Sequence, residues 1–121
     1  MDNSSGASGE QYTVEYLEEK GFEIVQRNYH SRFGEIDIIA RDSRYLIFTE
    51  VKTRENGSLV GPFEAITVSK QRKIIKTAMH YLQMNPTALQ PRFDAAGVAT
   101  KEGTPVSIQY IPNAFSCEGF F

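Results

Sequence analysis

The stretch from Gly34 to Arg54 constrains the fold more than any other part of this chain. It predicts two β-strands joined by a turn at 41–44, and both strands carry apolar side chains on both of their faces. Strands of this kind usually lie in the centre of a sheet that is covered on both sides. The same stretch places Asp37, Glu50 and Lys52 where the pattern predicts burial, which costs stability unless a ligand compensates their charges.

The alternation of side chains predicts which residues of this hairpin share a face. If Asp42 and Ser43 form the loop of an antiparallel pair, odd positions of the first strand lie on the same side as even positions of the second. The first face then contains Glu35, Asp37, Ile39, Leu46, Phe48, Glu50 and Lys52. The second face contains Ile36, Ile38, Ala40, Ile47, Thr49 and Val51. A loop two residues longer keeps this division, whereas a loop of three residues reverses it.

The rest of the chain predicts a single domain around this hairpin. Hydrophobic periodicity predicts helices at 9–20 and 69–83, the second with Ser69 as its N-cap, and strands at 22–29, 34–40, 45–52, 92–100 and 105–111. The order α-β-β-β-α-β-β is typical of an α/β domain with a mixed sheet and helices packed on it. We expect residues 1–8 to be a flexible N-terminus, 9–115 to form the domain, and 116–121 to be a C-terminal tail.

Composition limits the function classes. The net charge of −2 means that any nucleic-acid binding must come from a local basic patch. The single cysteine, Cys117, excludes an internal disulfide, and no Cys/His cluster has the spacing of a zinc site. The N-terminus lacks a signal-peptide pattern, and no apolar run approaches the roughly 20 residues of a membrane span. These features favour a cytoplasmic protein.

The second predicted helix has one apolar side and one basic side. The apolar arc contains Ile74, Ile75, Ala78, Met79, Tyr81 and Leu82. The basic residues of its first turns are Lys70, Arg72, Lys73 and Lys76, and Arg54 and Arg32 would extend the same patch. Cations beside the free N–H groups of a helix N-terminus form an anion site, for which nucleic-acid phosphates are suitable ligands. Gln71 lies on the inner arc and could reach the charged residues of the hairpin.

The inward polar residues indicate metal chemistry. Glu10 lies on the apolar side of the first helix, and it joins Asp37, Glu50 and Lys52 as a fourth inward charge. Carboxylates that share a site of low dielectric raise one another's pKa or require a cation. Mg²⁺ takes one or two carboxylates together with waters and phosphate oxygens. A lysine on the same face could hold a phosphate or deprotonate a water, which is the chemistry of phosphodiester hydrolysis.

Asp37, followed after a strand-length gap by Glu50-Val51-Lys52, resembles the PD-(D/E)xK signature of the restriction-endonuclease-like nucleases. A longer set of residues resembles the small bacterial YraN family: Gly9-Glu10, Asn28, 34–42, 50–54, Lys70 and Arg92-Phe93-Asp94. The likeness spans nearly the whole chain, from Gly9 to Phe115. One departure is Ile36, which stands where the bare signature has proline.

The resemblance implies an αβββαβ core, similar to that of archaeal Holliday-junction resolvases, and a nuclease site that depends on Mg²⁺ or Mn²⁺. It implies Asp37 and Glu50 as metal ligands and Lys52 as a catalytic residue. It also implies Glu10 as an accessory acid that joins the metal ligands. Two functions stay open. One is a metal-dependent endonuclease acting on DNA, including branched or structured DNA, and the other is a non-catalytic nucleic-acid-binding or assembly module with the same fold. By analogy, the aromatic residues Phe115, Phe120 and Phe121 could supply a homodimer interface.

Overall fold

In the part of the chain that the structure describes, two helices and five strands follow one another in the predicted order. The computed structural model describes residues 4–55 and 66–118, with side chains from residue 8 onward. The elements are α1 (Ser4–Glu19), β1 (Glu23–Ser31), β2 (Gly34–Arg41), β3 (Tyr45–Glu55), α2 (Val68–Met84), β4 (Gln90–Lys101) and β5 (Thr104–Phe115). The predicted strand at 105–111 therefore continues for four further residues. No helix in the described part of the chain is long and apolar enough to cross a membrane.

The strands form one mixed sheet in the order β1-β2-β3-β4-β5. Neighbouring strands are antiparallel except β3 and β4, which are parallel over their whole length. A parallel pair needs a long crossover, and α2 lies within the segment that connects these two strands. The central position of β3 explains its apolar character on both faces, and the α/β class predicted from the sequence is confirmed.

The β2–β3 hairpin has the predicted parity but a shifted register. Ile38 lies opposite Thr49 and Arg41 opposite Leu46, two residues away from the register that a loop at Asp42 and Ser43 would give. The pairing ends where the Val51 N–H donates to the Asp37 side chain.

One member of the predicted second face was wrong. Ile36 packs in the core beneath α2, whereas Ile38 packs beneath α1. Because β2 pairs with β3 only from Ile38 onward, the preceding residues are not held to the pleat of β3. The alternation rule therefore fails at the point where Asp37 leaves the ladder.

Buried side chains form two clusters, one on each face of the sheet. The cluster beneath α2 is the larger and includes Phe48, Ile75 and Phe93. The cluster beneath α1 contains Val14, Leu17, Ile38, Ala40 and Ile47. Burial of this kind contributes about 25 cal/mol for each Å² of apolar surface removed from water, so both helices are held mainly by their apolar sides.

The N-terminal part of α1 crosses very close to β3 at Gly9. A Cβ atom at this position would overlap the hydroxyl oxygen of Thr53, so a side chain here would push the helix away from the strand. The buried Thr13 hydroxyl donates to the Gly9 carbonyl oxygen at 2.8 Å. Glu10, the next residue, is thereby brought to the sheet at the level of the second half of β3.

The N-cap of helix α2 lies two residues earlier than predicted. Thr67, not Ser69, is the N-cap, and its hydroxyl accepts from the Lys70 N–H at 3.2 Å. Tyr81 is buried as predicted, but Met79 is 42% exposed. The buried stripe is displaced from the predicted arc, because Thr77 is fully buried on one side of it and Met79 lies at the solvent edge on the other.

Phe115, one of the three aromatic residues proposed for a dimer interface, is the last residue of β5 and is buried. Phe115 is 9% exposed and its ring stacks on Phe93 with centroids 5.3 Å apart. It is therefore part of the core, and the prediction that it contributes to a tail interface was wrong. The other two tail aromatics, Phe120 and Phe121, lie outside the described residues.

Candidate active site

The two central acids of the predicted site lie on adjacent strands, Asp37 on β2 and Glu50 on β3. The Asp37 Oδ2 accepts the Val51 N–H at 2.8 Å, so its carboxyl group lies against β3. Burial, and after it the nearby Glu50 carboxylate, raise the pKa of Asp37 to about 7. The sheet thus places two carboxyl groups close enough that ionising one opposes ionising the other.

Glu50 is buried between two lysines. Its side chain is 6% exposed, and its Oε2 lies 2.7 Å from the Lys70 Nζ and 3.3 Å from the Lys52 Nζ. Lys52 comes from the same strand, two residues later, whereas Lys70 reaches in from the first turn of α2. A buried carboxylate is tolerated only when its charge is compensated, and here two cations from different elements do so.

The two lysines differ in how their surroundings affect them. Burial lowers the pKa of Lys52, and the neighbouring Lys70 ammonium lowers it further against the opposing effect of Glu50. Burial alone would also lower the pKa of Lys70, but the hydrogen bond and ion pair with Glu50 outweigh it and raise that pKa. The lowered pKa of Lys52 favours its neutral form, which a general base requires.

Glu10 lies at the edge of this group. Its pKa is raised, first by burial and then by the Glu35 and Glu50 carboxylates, while Arg27 and a hydrogen bond from Asn28 act in the opposite direction. The side chain is partly exposed, and its partners belong to β1. Glu10 therefore adds negative charge near the pair formed by Asp37 and Glu50 without being enclosed with them.

A cleft of about 330 Å³ opens onto Glu50. It lies between the start of β2 and the first turns of α2, and its walls are Gly34, Glu35, Glu50, Thr67, Ser69, Lys70, Lys73 and Ile74. The floor is therefore acidic, while the rim combines lysines with the N-terminus of a helix. Such a rim attracts anions, because the helix dipole and the ammonium groups both favour negative charge.

The predicted basic residues lie in different places relative to the cleft. Lys70 and Lys73 line it. Arg54 is half-buried and follows Lys52 at the strand period of two, so it lies on the same face of β3. Arg72 is exposed on α2. Lys76 lines a separate cavity further along the helix.

The contacts of Gln71 and Lys70 differ from those that the sequence suggested. The Gln71 side chain donates to the Ile66 carbonyl oxygen at 3.2 Å, so it bridges the segment before α2 instead of contacting the carboxylates. Lys70, predicted only as a phosphate contact, makes the shortest ion pair to Glu50. The sequence contained a signal for this ion pair, because a lysine in the first turn of a helix opposes the helix dipole and needs a compensating acid.

The carboxylate oxygens of this site are suitable ligands for a hard divalent cation. Asp37 and Glu50 supply two carboxylates whose mutual repulsion a cation would relieve, and Mg²⁺ commonly takes one or two carboxylates with waters. Among residues 8–55 and 66–118, however, no group of three or more His, Cys, Asp or Glu side chains is arranged to hold a metal ion. The residues therefore fit an ion held by Asp37 and Glu50, whereas Glu10, predicted as a third ligand, is not grouped with them.

Comparisons with known proteins agree with the resemblance drawn from the motifs. Residues 9–98 match the model of the uncharacterised protein family UPF0102. A UPF0102 protein of Psychromonas ingrahamii is 46% identical over 93% of this chain and 90% of its own length. Relatives from Lachnoclostridium phytofermentans and Dictyoglomus turgidum are 44% and 42% identical and are covered over 94% and 100% of their lengths. The chain therefore belongs to the UPF0102 family, the family of YraN.

Proposed function

We propose that this protein is a divalent-metal-dependent endonuclease that hydrolyses phosphodiester bonds of DNA. The observation that carries the proposal is the pair of adjacent carboxyl groups, Asp37 and Glu50, with the lysine Lys52 beside Glu50. Glu50 also lines a cleft whose rim is cationic. A structural ion pair would need neither the second acid nor the cleft. A binding surface alone would not need a destabilising acid beneath it.

The residues have distinct roles in the proposed reaction. Lys70, Lys73 and the N-terminal N–H groups of α2 bind the scissile phosphate at the rim. Asp37 and Glu50 would hold Mg²⁺ or Mn²⁺, which when bound polarises the phosphate and lowers the pKa of a water. Lys52 orients the attacking water and takes its proton as the new bond to phosphorus forms and the bond to the leaving sugar oxygen breaks.

One observation favours a non-catalytic nucleic-acid-binding module instead. Glu50 is already compensated by Lys52 and Lys70, so the fold is stable without a metal ion at that position. Under the nuclease proposal Lys70 must give up this contact and turn to the phosphate. The binding module would keep it, and its DNA affinity would be independent of divalent ions.

A cleavage assay separates the two functions. Purified protein is incubated with single-stranded, duplex, flap and four-way DNA in Mg²⁺, in Mn²⁺ and with a chelator, at pH 8. We expect cleavage only with a divalent ion, and its loss in Glu50→Gln and Lys52→Ala. The matched control is Glu23→Gln, which removes an exposed acid that pairs with Arg41 at 3.5 Å and should leave cleavage unchanged.

Two results would reject the nuclease assignment. Cleavage that survives Glu50→Gln would show that the nuclease is a contaminant or that the site is misassigned. Metal-independent binding of the whole panel without cleavage by the wild-type protein would favour the binding module.

A further inference from the structure

A second cavity lies beside the candidate cleft, along the same helix. It has a volume of about 250 Å³ and is lined by Phe33, Lys76, Met79, His80 and Gln83. Phe33 immediately precedes Gly34, which lines the cleft itself, and α2 forms one wall of both. A polymer bound in the cleft would therefore pass over this cavity if it followed the helix toward its C-terminus.

Three of the five side chains that line this cavity are flat or apolar, namely Phe33, Met79 and His80. The His80 Nδ1 is hydrogen-bonded to the Tyr29 hydroxyl at 2.7 Å, which fixes the imidazole ring. The Phe33 ring lies 6.4 Å from the His80 ring at an interplanar angle of 63°. Met79 is 42% exposed beside them, although its side chain is apolar. The cavity is thus preorganised and leaves apolar surface open to a ligand.

The surrounding charge indicates which ligand is suitable. Lys76 lines the cavity, and the Arg32 guanidinium lies 5.0 Å from the centre of the Phe33 ring. Lys73 lines the neighbouring cleft, and none of the described residues that line the cavity is acidic. Aromatic rings flanked by cations are the features with which proteins bind unpaired nucleotides, because bases stack on the rings and phosphates pair with the cations.

The spacing is compatible with one nucleic-acid strand that occupies both places. Lys70 and His80 are ten residues apart on a helix, which corresponds to about 15 Å along its axis. A stacked strand advances about 3.4 Å for each nucleotide, so the cavity lies within roughly four nucleotides of the cleft. Bases inside a duplex are already stacked on both sides and cannot stack on a protein ring without being unpaired.

We infer that Phe33 and His80 bind an unpaired base of the substrate, so that the enzyme acts on DNA with a single-stranded segment next to the scissile phosphate. The position of this base next to a scissile phosphate rests on the proposed nuclease function. The binding site itself rests on the cavity and its charges. It is testable without any cleavage.

The test measures binding in the presence of a chelator, so that no cleavage takes place. Fluorescence anisotropy compares a fully paired duplex with the same duplex carrying a single-stranded flap. We expect Phe33→Leu to weaken binding of the flap substrate about tenfold, the range given by one aromatic–base stack, and to leave duplex binding unchanged. Phe33→Trp should restore flap binding, because it keeps an aromatic surface. Val106→Ala, at an exposed position on β5, is the matched control.

Each outcome supports or overturns the inference. Equal binding of both substrates by wild type and Phe33→Leu overturns it, as does an equal loss for both substrates. Equal losses of flap binding in Phe33→Leu and Phe33→Trp would show that side-chain shape and not base stacking determines binding, which also overturns the inference. If the flap preference depends on Phe33 but the wild-type protein never cleaves with Mn²⁺, the binding site stands and the nuclease proposal fails. If Mn²⁺-dependent cleavage occurs without any flap preference, the nuclease proposal stands and this inference fails.

Discussion

Replacing Asp37 with asparagine is expected to stabilise the metal-free protein at pH 8, although it removes a residue of the proposed active site. Burial and the neighbouring Glu50 raise the pKa of Asp37 to about 7, so keeping it ionised above that pH costs free energy. The difference from its ordinary value of 3.8 corresponds to a cost of up to roughly 4 kcal/mol. Asparagine avoids this cost, and its side-chain oxygen can still accept the Val51 N–H.

The sign of the pH dependence follows from the same shift. Between about pH 4 and pH 7 the folded protein keeps the Asp37 proton, whereas the unfolded chain has lost it. The folded state therefore binds more protons, and the contribution of Asp37 to stability falls as pH rises through this window and levels off above it. In Asp37→Asn this contribution disappears, so the two melting curves should converge near pH 4 and separate toward pH 8.

Thermal unfolding followed by circular dichroism between pH 4 and pH 8, in the presence of a chelator, measures this effect. A gain of 1 kcal/mol corresponds to roughly 4 °C in Tm for a chain of this size. Glu23→Gln serves as the control for removing an exposed acid and should change Tm by less than about 2 °C. A lower Tm for Asp37→Asn than for wild type at pH 8 would contradict the account of a strained acid pair.

Replacing Asp94 with alanine is expected to destabilise the fold more than any other single change considered for this protein. Asp94 is fully buried, and both of its oxygens accept from the Arg92 guanidinium, at 3.0 and 2.9 Å. It also accepts from the Tyr110 hydroxyl and, at 2.9 Å, from the Asn113 N–H. Removing it leaves the half-buried Arg92 without its counter-ion, for which a loss of about 3–5 kcal/mol is usual.

This network joins β4 to β5. The Tyr110 hydroxyl is also 3.0 Å from the Thr49 hydroxyl on β3, and burial together with the Asp94 carboxylate raises the pKa of Tyr110. Tyr110→Phe removes the hydrogen bonds to Asp94 and Thr49 and should cost about 1–3 kcal/mol, clearly less than Asp94→Ala. Chemical denaturation at pH 7 gives both values. Equal losses for the two variants would show that the Arg92–Asp94 pair does not act as a unit.

Much of the fold was predictable because alternation and periodicity report burial directly. The strands on either side of the turn after Arg41, and the parity of Glu50 and Lys52, followed from apolar residues at every second position. The place of Ile36 did not, because the ladder is interrupted by a side-chain hydrogen bond at Asp37 that no periodicity encodes. Met79 was misplaced for a different reason, since the position of the buried stripe around a helix depends on what packs against it, and here Thr77 is buried in place of Met79.

The candidate site was predictable in its strand residues and less so in its helix residues. Asp37 and Glu50 were conspicuous because acids are rare in central strands. Lys70 and Gln71 are helical whether α2 is capped at Ser69 or at Thr67, so their roles depend on what each side chain can reach. The Gln71 side chain donates to the Ile66 carbonyl oxygen before the helix, whereas the longer Lys70 side chain reaches Glu50, and helical periodicity encodes neither contact.

The central claim is that Asp37 and Glu50 together hold one divalent ion, and Mn²⁺ titration by calorimetry tests it most directly. At pH 8 the wild-type protein should bind one Mn²⁺, with affinity that weakens below pH 7 as Asp37 takes up its proton. Glu10→Gln should retain binding, because Glu10 lies outside the ligand pair. Asp37→Asn and Glu50→Gln should each abolish the binding heat, whereas unchanged Mn²⁺ binding in both variants would contradict the claim.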